Sequence, residues 1–163
     1  MKEQIEKAIA ESKNKVKFKG MGEFDIPFIT SKDDAKAPVR HHDDDCGADL
    51  CTTTNFVLSP FERKKVGTGI NIELPVGHYA LVQAKSGLAN RYGLTTIGNV
   101  IDEGYRGEIH VILVNMGSEI VSFEKGDKIA QLIIMPYVKS TFVKVDSLSE
   151  TQRGEKGFGS SGR

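Results

Sequence analysis

Five short segments of this chain gather residue types that can bind an anion or move a proton. The run RGEKGFGSSG (153–162) carries Gly154, Gly157, Gly159 and Gly162, whose backbone N–H groups can converge on an anion. Arg153 adds a planar cationic fork suited to phosphate, and Phe158 an aromatic face suited to a base. No Gly-Lys-Ser/Thr ending or following helix accompanies it, so it is not a P-loop; the same composition also describes a solvated tail. In AKSGLANRYGL (84–94), Lys85, Ser86 and Gly87 open a helical turn, offering a hydroxyl and free N–H groups to a phosphate. Ser86 reads equally as a simple N-cap.

The segment GNVIDEGYRGEIHV (98–111) places Asp102 at an expected hairpin tip, with the chain returning as a strand at Glu108. Asp102 and Tyr105 flank Gly104 and could present a carboxylate and a ring to one ligand; an ordinary turn with Tyr105 over a sheet edge is the plainer alternative. CGADL (46–50) sets Asp49 at the mouth of a strand. GDKIAQL (126–132) sets Gln131 among Ile129, Ala130 and Leu132, where simple solvent-face alternation is the default.

These segments need a frame. From Val16 onward the chain consists of short β-type runs broken by Gly, Pro, Asp and Asn. Residues 50–58, 66–74, 78–84, 108–115, 119–126 and 128–138 read as strands, and 141–148 as one more. Regular spacing of this kind favours an all-β sandwich or barrel over βαβ units. Residues 86–93 supply the single helical turn of the body. Residues 1–14 pattern as a short amphipathic helix with Ile5, Ala8 and Ile9 on one stripe. Three regions follow: an N-terminal helix and extension (1–36), a β-domain (37–148) and a Gly-rich arm (149–163).

Bulk composition narrows the function. A chain of 163 residues suits one domain with a real core. Its 22 Lys and Arg balance 22 Asp and Glu, so there is no basic field for nucleic-acid binding. The N-terminus has no apolar stretch of a signal peptide, and the longest apolar run, near Leu132–Met135, is far short of a membrane span. Cys46 and Cys51 do not form a disulfide framework, and adjacent His41 and His42 point opposite ways in an extended chain, which argues against zinc. A reduced, cytoplasmic protein is expected, or one of the host cytoplasm if viral.

Taken in order, CGADL, KSGLA, NVIDEGYRGE, GDKIAQL and RGEKGFGSSG resemble the five motifs of the trimeric dUTP nucleotidohydrolase (dUTPase) family, across roughly residues 37–162. The resemblance implies a jelly-roll-like β-body in a homotrimer with shared active sites, each closed by a neighbour's C-terminal arm. It implies hydrolysis of dUTP to dUMP and pyrophosphate, with Mg²⁺ held by the triphosphate, limiting uracil in DNA and supplying dUMP for dTMP synthesis. By motif position, Asp102 would orient the attacking water and hold the 3′-hydroxyl, and Tyr105 would exclude a 2′-hydroxyl. Ser86, Gly87 and Gln131 would bind phosphates, Lys85 would make a substrate phosphate or an intersubunit contact, and Asp49 would hold waters on Mg²⁺. Gly98 and Asn99 would read uracil through backbone groups. Phe158 would stack on uracil, while Arg153, Gly159, Ser160 and Ser161 engage the phosphates. Two departures stand out: Lys85 replaces an arginine, losing the bidentate fork, and Asn99 replaces a glycine, which asparagine's tolerance of left-handed backbone would accommodate.

The sister dCTP deaminases share the fold but require a glutamate ten residues beyond the Asp102 equivalent, where this chain has Ile112. A regulatory protein switched by nucleotide occupancy is the alternative from another class. Its docking surface would be the N-terminal segment with the charge clusters at 32–34 and 43–45, for which a solvated acidic loop is the plainer reading.

Overall fold

The computed structural model describes residues 24–155 and residue 157. The helix expected at 1–14, and Phe158, Gly159, Ser160 and Ser161 of the arm, lie outside the described residues.

The first half of the body runs through β1 (Phe28–Thr30), β2 (Ala48–Cys51), β3 (Phe56–Leu58), β4 (Arg63–Gly67), β5 (Ile70–Ile72) and β6 (His78–Gln83). Helix α1 (Ser86–Tyr92) leads into β7 (Leu94–Ile97), β8 (Val100–Ile101), β9 (His110–Asn115), β10 (Val121–Phe123) and β11 (Lys128–Pro136). All the pairings between these strands are antiparallel. A four-stranded sheet has the order β2-β11-β6-β8 and a three-stranded sheet the order β4-β9-β7, with β1-β5 and β10-β3 as two-stranded pieces. This is the expected all-β architecture with one short helix inside the body.

Period-two patterning explains the layers. In β9, Val111, Leu113 and Asn115 are buried while His110, Ile112 and Val114 are half-buried on the other face. The buried face meets Ala80 and Val82 of β6, Leu94 of β7 and Ile129, Ala130 and Leu132 of β11 in one core. Each such valine, leucine or isoleucine contributes roughly 1.5–3 kcal/mol by leaving water. Asn115, fully buried, is satisfied by donating Nδ2 to Leu58 O (3.1 Å) and Glu119 O (2.7 Å) and accepting from Gly117 N–H (2.9 Å), which ties two loops to the core.

Several strand expectations are corrected. Residues 50–58 break into β2 and β3, which lie in different sheets, because Thr52 Oγ1 bonds across Thr53 to the Thr54 backbone and turns the chain. Residues 66–74 break at Gly69, whose φ of 69° a strand residue does not adopt. Residues 141–148 form no strand: Phe142, Val143, Val145 and Leu148 are 96%, 76%, 57% and 87% exposed, with no neighbouring strand to pair with in the described chain. Asp102 is not at a hairpin tip either. It follows β8, which pairs with β6, and precedes β9, which pairs with β4 and β7, so its loop crosses from one sheet to the other. Ahead of the boundary drawn at residue 37, β1 pairs with β5 (Phe28↔Ile72), and Lys32 reaches Thr53 Oγ1 (2.9 Å).

Candidate active site

Two cavities carry the chemistry-bearing residues, and they have no lining residue in common. The first, about 240 Å³, is lined by His41, Asp45, Cys46, Gly47, Asp49, Lys85, Ser86, Gly87 and Gln131. Strands β2 and β11 meet here in register, Asp49 opposite Gln131, and β6 pairs Gln83 with Gln131 from the other side. Gln131 is therefore on a central strand, half-buried, with its side chain lining this cavity. It donates Nε2 to Ala84 O (3.0 Å), at the junction of β6 and α1. A Cβ on Gly47 would collide with its Oε1, so this amide keeps its place only while residue 47 has no side chain.

Asp49 is 7% exposed and held by two ion pairs, from Lys85 Nζ to Oδ1 and from Lys128 Nζ to Oδ2 (2.7 Å). Burial alone would raise its carboxyl, but hydrogen bonds and charges from Lys128 and Lys85 outweigh it and hold the group below the ordinary aspartate value. Lys128 was not among the residues singled out from sequence. Its only signal is a charge in GDKIAQL, and its meaning depends on the pairing of β11 with β2, which no local pattern reveals.

Ser86 is the first residue of α1, not its cap. The N-cap position falls to Lys85, extended at ψ 129°, with no side-chain bond to the helix. The Ser86 hydroxyl is thus unused by the helix and lines the cavity. Gly93, with φ 70°, ends the helix by donating its N–H to Ala89 O (2.9 Å), a left-handed cap.

The second cavity, about 330 Å³, is lined by Lys65, Gly98, Val100, Ile101, Asp102, Tyr105, Glu108, His110 and Ile112. Asp102 and Tyr105 do face one space. The turn between them closes by Tyr105 N–H donating to Asp102 O (3.0 Å). Tyr105 hydroxyl donates to Glu108 O (2.9 Å), and its ring covers Gly107, where a Cβ would collide with it. The Asp102 carboxylate forms no hydrogen bond or ion pair with any described residue. Ile112, on the floor of this cavity, has no group for acid–base chemistry. In the preceding loop the left-handed residue is Gly98 (φ 65°), not Asn99, whose carbonyl accepts Val82 N–H (2.9 Å) and whose Nδ2 donates to Thr96 O (3.4 Å).

Arg153 begins the arm beside a turn in which Gly154 N–H donates to Thr151 O (3.1 Å), with φ 56° at Gly154. Among the described residues no group of three or more His, Cys, Asp or Glu is arranged to hold a metal ion, and no helix is long and apolar enough to cross a membrane.

The structure is thus an all-β body with a polar, lysine-bearing cavity and a separate concavity lined by a carboxylate that has no partner among the described residues. The family model for dUTPase matches residues 33–162. A deoxyuridine 5′-triphosphate nucleotidohydrolase of Clostridium tetani (strain Massachusetts / E88) is 44% identical over 145 residues, covering 88% of this chain and 100% of its own. That of Leifsonia xyli subsp. xyli (strain CTCB07) is 45% identical over 141 residues, covering 85% and 90%. The Staphylococcus bacteriophage 80alpha dUTPase solved with dUpNHpp superposes with a TM-score of 0.80 at 27% identity, covering 85% of this chain and 99% of that one. A mutant dUTPase from phage phi11 of S. aureus, in which coordination of a structural Mg(II) ion is described, shares the fold at 22% identity and a TM-score of 0.71, covering 76% and 97%. The chain belongs to the dUTPase family.

Proposed function

We propose that the protein hydrolyses dUTP to dUMP and pyrophosphate in a site that copies of the chain complete together. The observation that carries this reading is the division of the site residues between two cavities with no shared lining residue. Asp49, Lys85, Ser86, Gly87 and Gln131 form the half that takes phosphates. Gly98, Asn99, Asp102 and Tyr105 form the half that takes the nucleoside. One chain presents these halves in two separate cavities, and adjacent copies in a homotrimer would bring them to one ligand.

Two features support the assembly. The exposed apolar residues of 141–148 suit a strand completed on a neighbour, and Ile97 and Val100 are 42% and 57% exposed beside half-buried Ile112. The arm, with Arg153, Phe158, Gly159, Ser160 and Ser161, then closes over the bound nucleotide and excludes water.

In the reaction a water donates its proton to Asp102 as its oxygen bonds to the α-phosphorus. The bond from that phosphorus to the α–β bridging oxygen breaks, and pyrophosphate leaves. Asp102 suits this because its carboxylate has no competing partner among the described residues. Tyr105, fixed through its hydroxyl, presses on the sugar where a 2′-hydroxyl would stand. Lys85 shares its ammonium between Asp49 and the phosphates, and the Ser86 hydroxyl and the N–H groups of α1 complete the cradle.

One buried carboxylate flanked by two lysines does not make a protein-held metal cage. Asp49 would instead hold, through water, a Mg²⁺ carried by the triphosphate. Such an ion would offset phosphate charge. A cytoplasmic location, with the nucleotide pool, goes with this activity.

Pyrophosphate release measured with dUTP, dCTP, dTTP and UTP tests base and sugar together. Turnover of dUTP alone is expected, and ammonia from dCTP would overturn the reading. Asp102→Asn should still bind dUTP while losing about 10²–10⁴-fold in turnover; wild-type turnover would remove Asp102 from the mechanism.

A further inference from the structure

Asp102 also lines a third cavity, of about 610 Å³, with Tyr79, Val100, Glu103, Gly104 and Tyr137. Its loop is therefore the wall between two spaces, and the direction in which it presents its carboxylate depends on what holds that wall. Glu103, the next residue, reaches away from the nucleoside cavity, whose lining does not include it. Its Oε2 accepts Gly77 N–H from the turn before β6 (2.8 Å) and the Tyr137 hydroxyl from just beyond the end of β11 (2.8 Å). Tyr137 N–H in turn donates to Gly77 O (2.9 Å), which closes the arrangement into a ring. On the other side of the turn, Arg106 Nη1 donates to Glu103 O (2.7 Å) and Tyr105 O (3.0 Å).

We propose that Glu103 and Tyr137 are positioning residues for Asp102, clamping its loop to the four-stranded sheet so that the carboxylate faces the nucleoside cavity. This rests on the role given to Asp102 above. The clamp ties the loop to that sheet through residues that the lining of the nucleoside cavity does not include. Its hydrogen bonds are charge-assisted: the Gly77 N–H and then the Tyr137 hydroxyl hold the Glu103 carboxyl below its ordinary value, so it is ionised at neutral pH. The Tyr137 hydroxyl is pushed up first by its bond to Glu103, then by burial and by the negative charges of Glu103 and Asp102. A loop held on one side only would let Asp102 swing, and misplacement of a reacting group by about 1 Å costs on the order of a hundredfold in rate.

The test uses the full chain and steady-state hydrolysis of dUTP, with thermal midpoints measured beside it. Tyr137→Phe keeps the ring and loses only the hydroxyl; at 40% exposure it leaves the core intact. It should lower kcat about tenfold with KM changed by less than about twofold, the pattern of an interaction that matters only in the transition state. Glu103→Ala should fall at least as far, and Glu103→Gln, which keeps an acceptor oxygen, should recover most of the loss. The double variant Tyr137→Phe/Glu103→Ala should be no worse than Glu103→Ala, since both remove one clamp. In an Asp102→Asn background Tyr137→Phe should change nothing further. Unchanged kcat in Tyr137→Phe, additive losses, or a loss that follows a lowered thermal midpoint would each overturn the proposal. The two readings fail separately. Wild-type turnover in Asp102→Asn sinks the role of Asp102, whereas an inactive Asp102→Asn beside a fully active Tyr137→Phe sinks only the clamp.

Discussion

A lysine ammonium has three N–H donors on one point, and at position 85 at least one of them is committed to Asp49. An arginine there could grip Asp49 with one edge of its fork and a phosphate with the other. Lys85→Arg is therefore expected to fold normally and to lower KM for dUTP about two- to fivefold with kcat little changed, as removal of competition for one cation requires. A rise in KM would show that the compact ammonium is itself what the phosphate needs. The same pair sets an acid limit on stability. The folded pKa of Asp49 lies below its unfolded value, so its contribution is complete above about pH 3.9 and drains away as pH falls from there through the lower folded value. Asp49→Asn leaves Lys85 and Lys128 without their anion. It should cost about 1–2 kcal/mol at neutral pH, less than a fully buried pair because both lysines reach solvent. Thermal midpoints followed from pH 7 to the acid limb should show the variant losing less than wild type on acidification; parallel curves would assign the acid limb to other groups.

At the scale of elements, what was legible in the sequence was whatever depends on neighbours along the chain. The run at 108–115 read as a strand and holds β9, and residues 86–93 read as a helical turn and hold α1, whereas the positive φ expected at Asn99 falls on Gly98. What escaped depends on residues far apart in sequence. VIDEGYRGEIHV reads as a hairpin because its two arms are close in the chain, yet β8 found its partner in β6 and β9 in β4 and β7. The ion pair of Lys128 with Asp49 has the same origin in strand register. Residues 141–148 show a third case: the strand-like pattern is real, but the segment pairs with no strand of the described chain. Gly98 offers a direct check. A Cβ there meets only Ile112 Cδ1, at 3.4 Å, so Gly98→Ala strains the backbone more than it crowds the cavity. A loss of about 1–2 kcal/mol in chemical denaturation is expected, with raised KM for dUTP; an unchanged midpoint would show that the loop can leave the left-handed region at no cost.

At the scale of the whole molecule, the proposed division of each site between two copies would make activity a property of the assembly, and that can be separated genetically. A subunit carrying Asp102→Asn keeps its phosphate cradle. A subunit carrying Ser86→Ala with Gln131→Ala keeps its nucleoside half. Each variant alone builds only defective sites, because every site takes one half from each of two adjacent copies. When the two are unfolded together and refolded as mixed trimers, an interface that joins the cradle of the first to the nucleoside half of the second is intact. Random mixing in equal amounts places such an interface at about one site in four. Pyrophosphate release should therefore return to about a quarter of the wild-type rate in the mixture, and stay near background when the same proteins are combined without unfolding. Were each chain to complete its own site, mixing would restore nothing, because no reassortment of subunits could bring an intact Asp102 to an intact cradle.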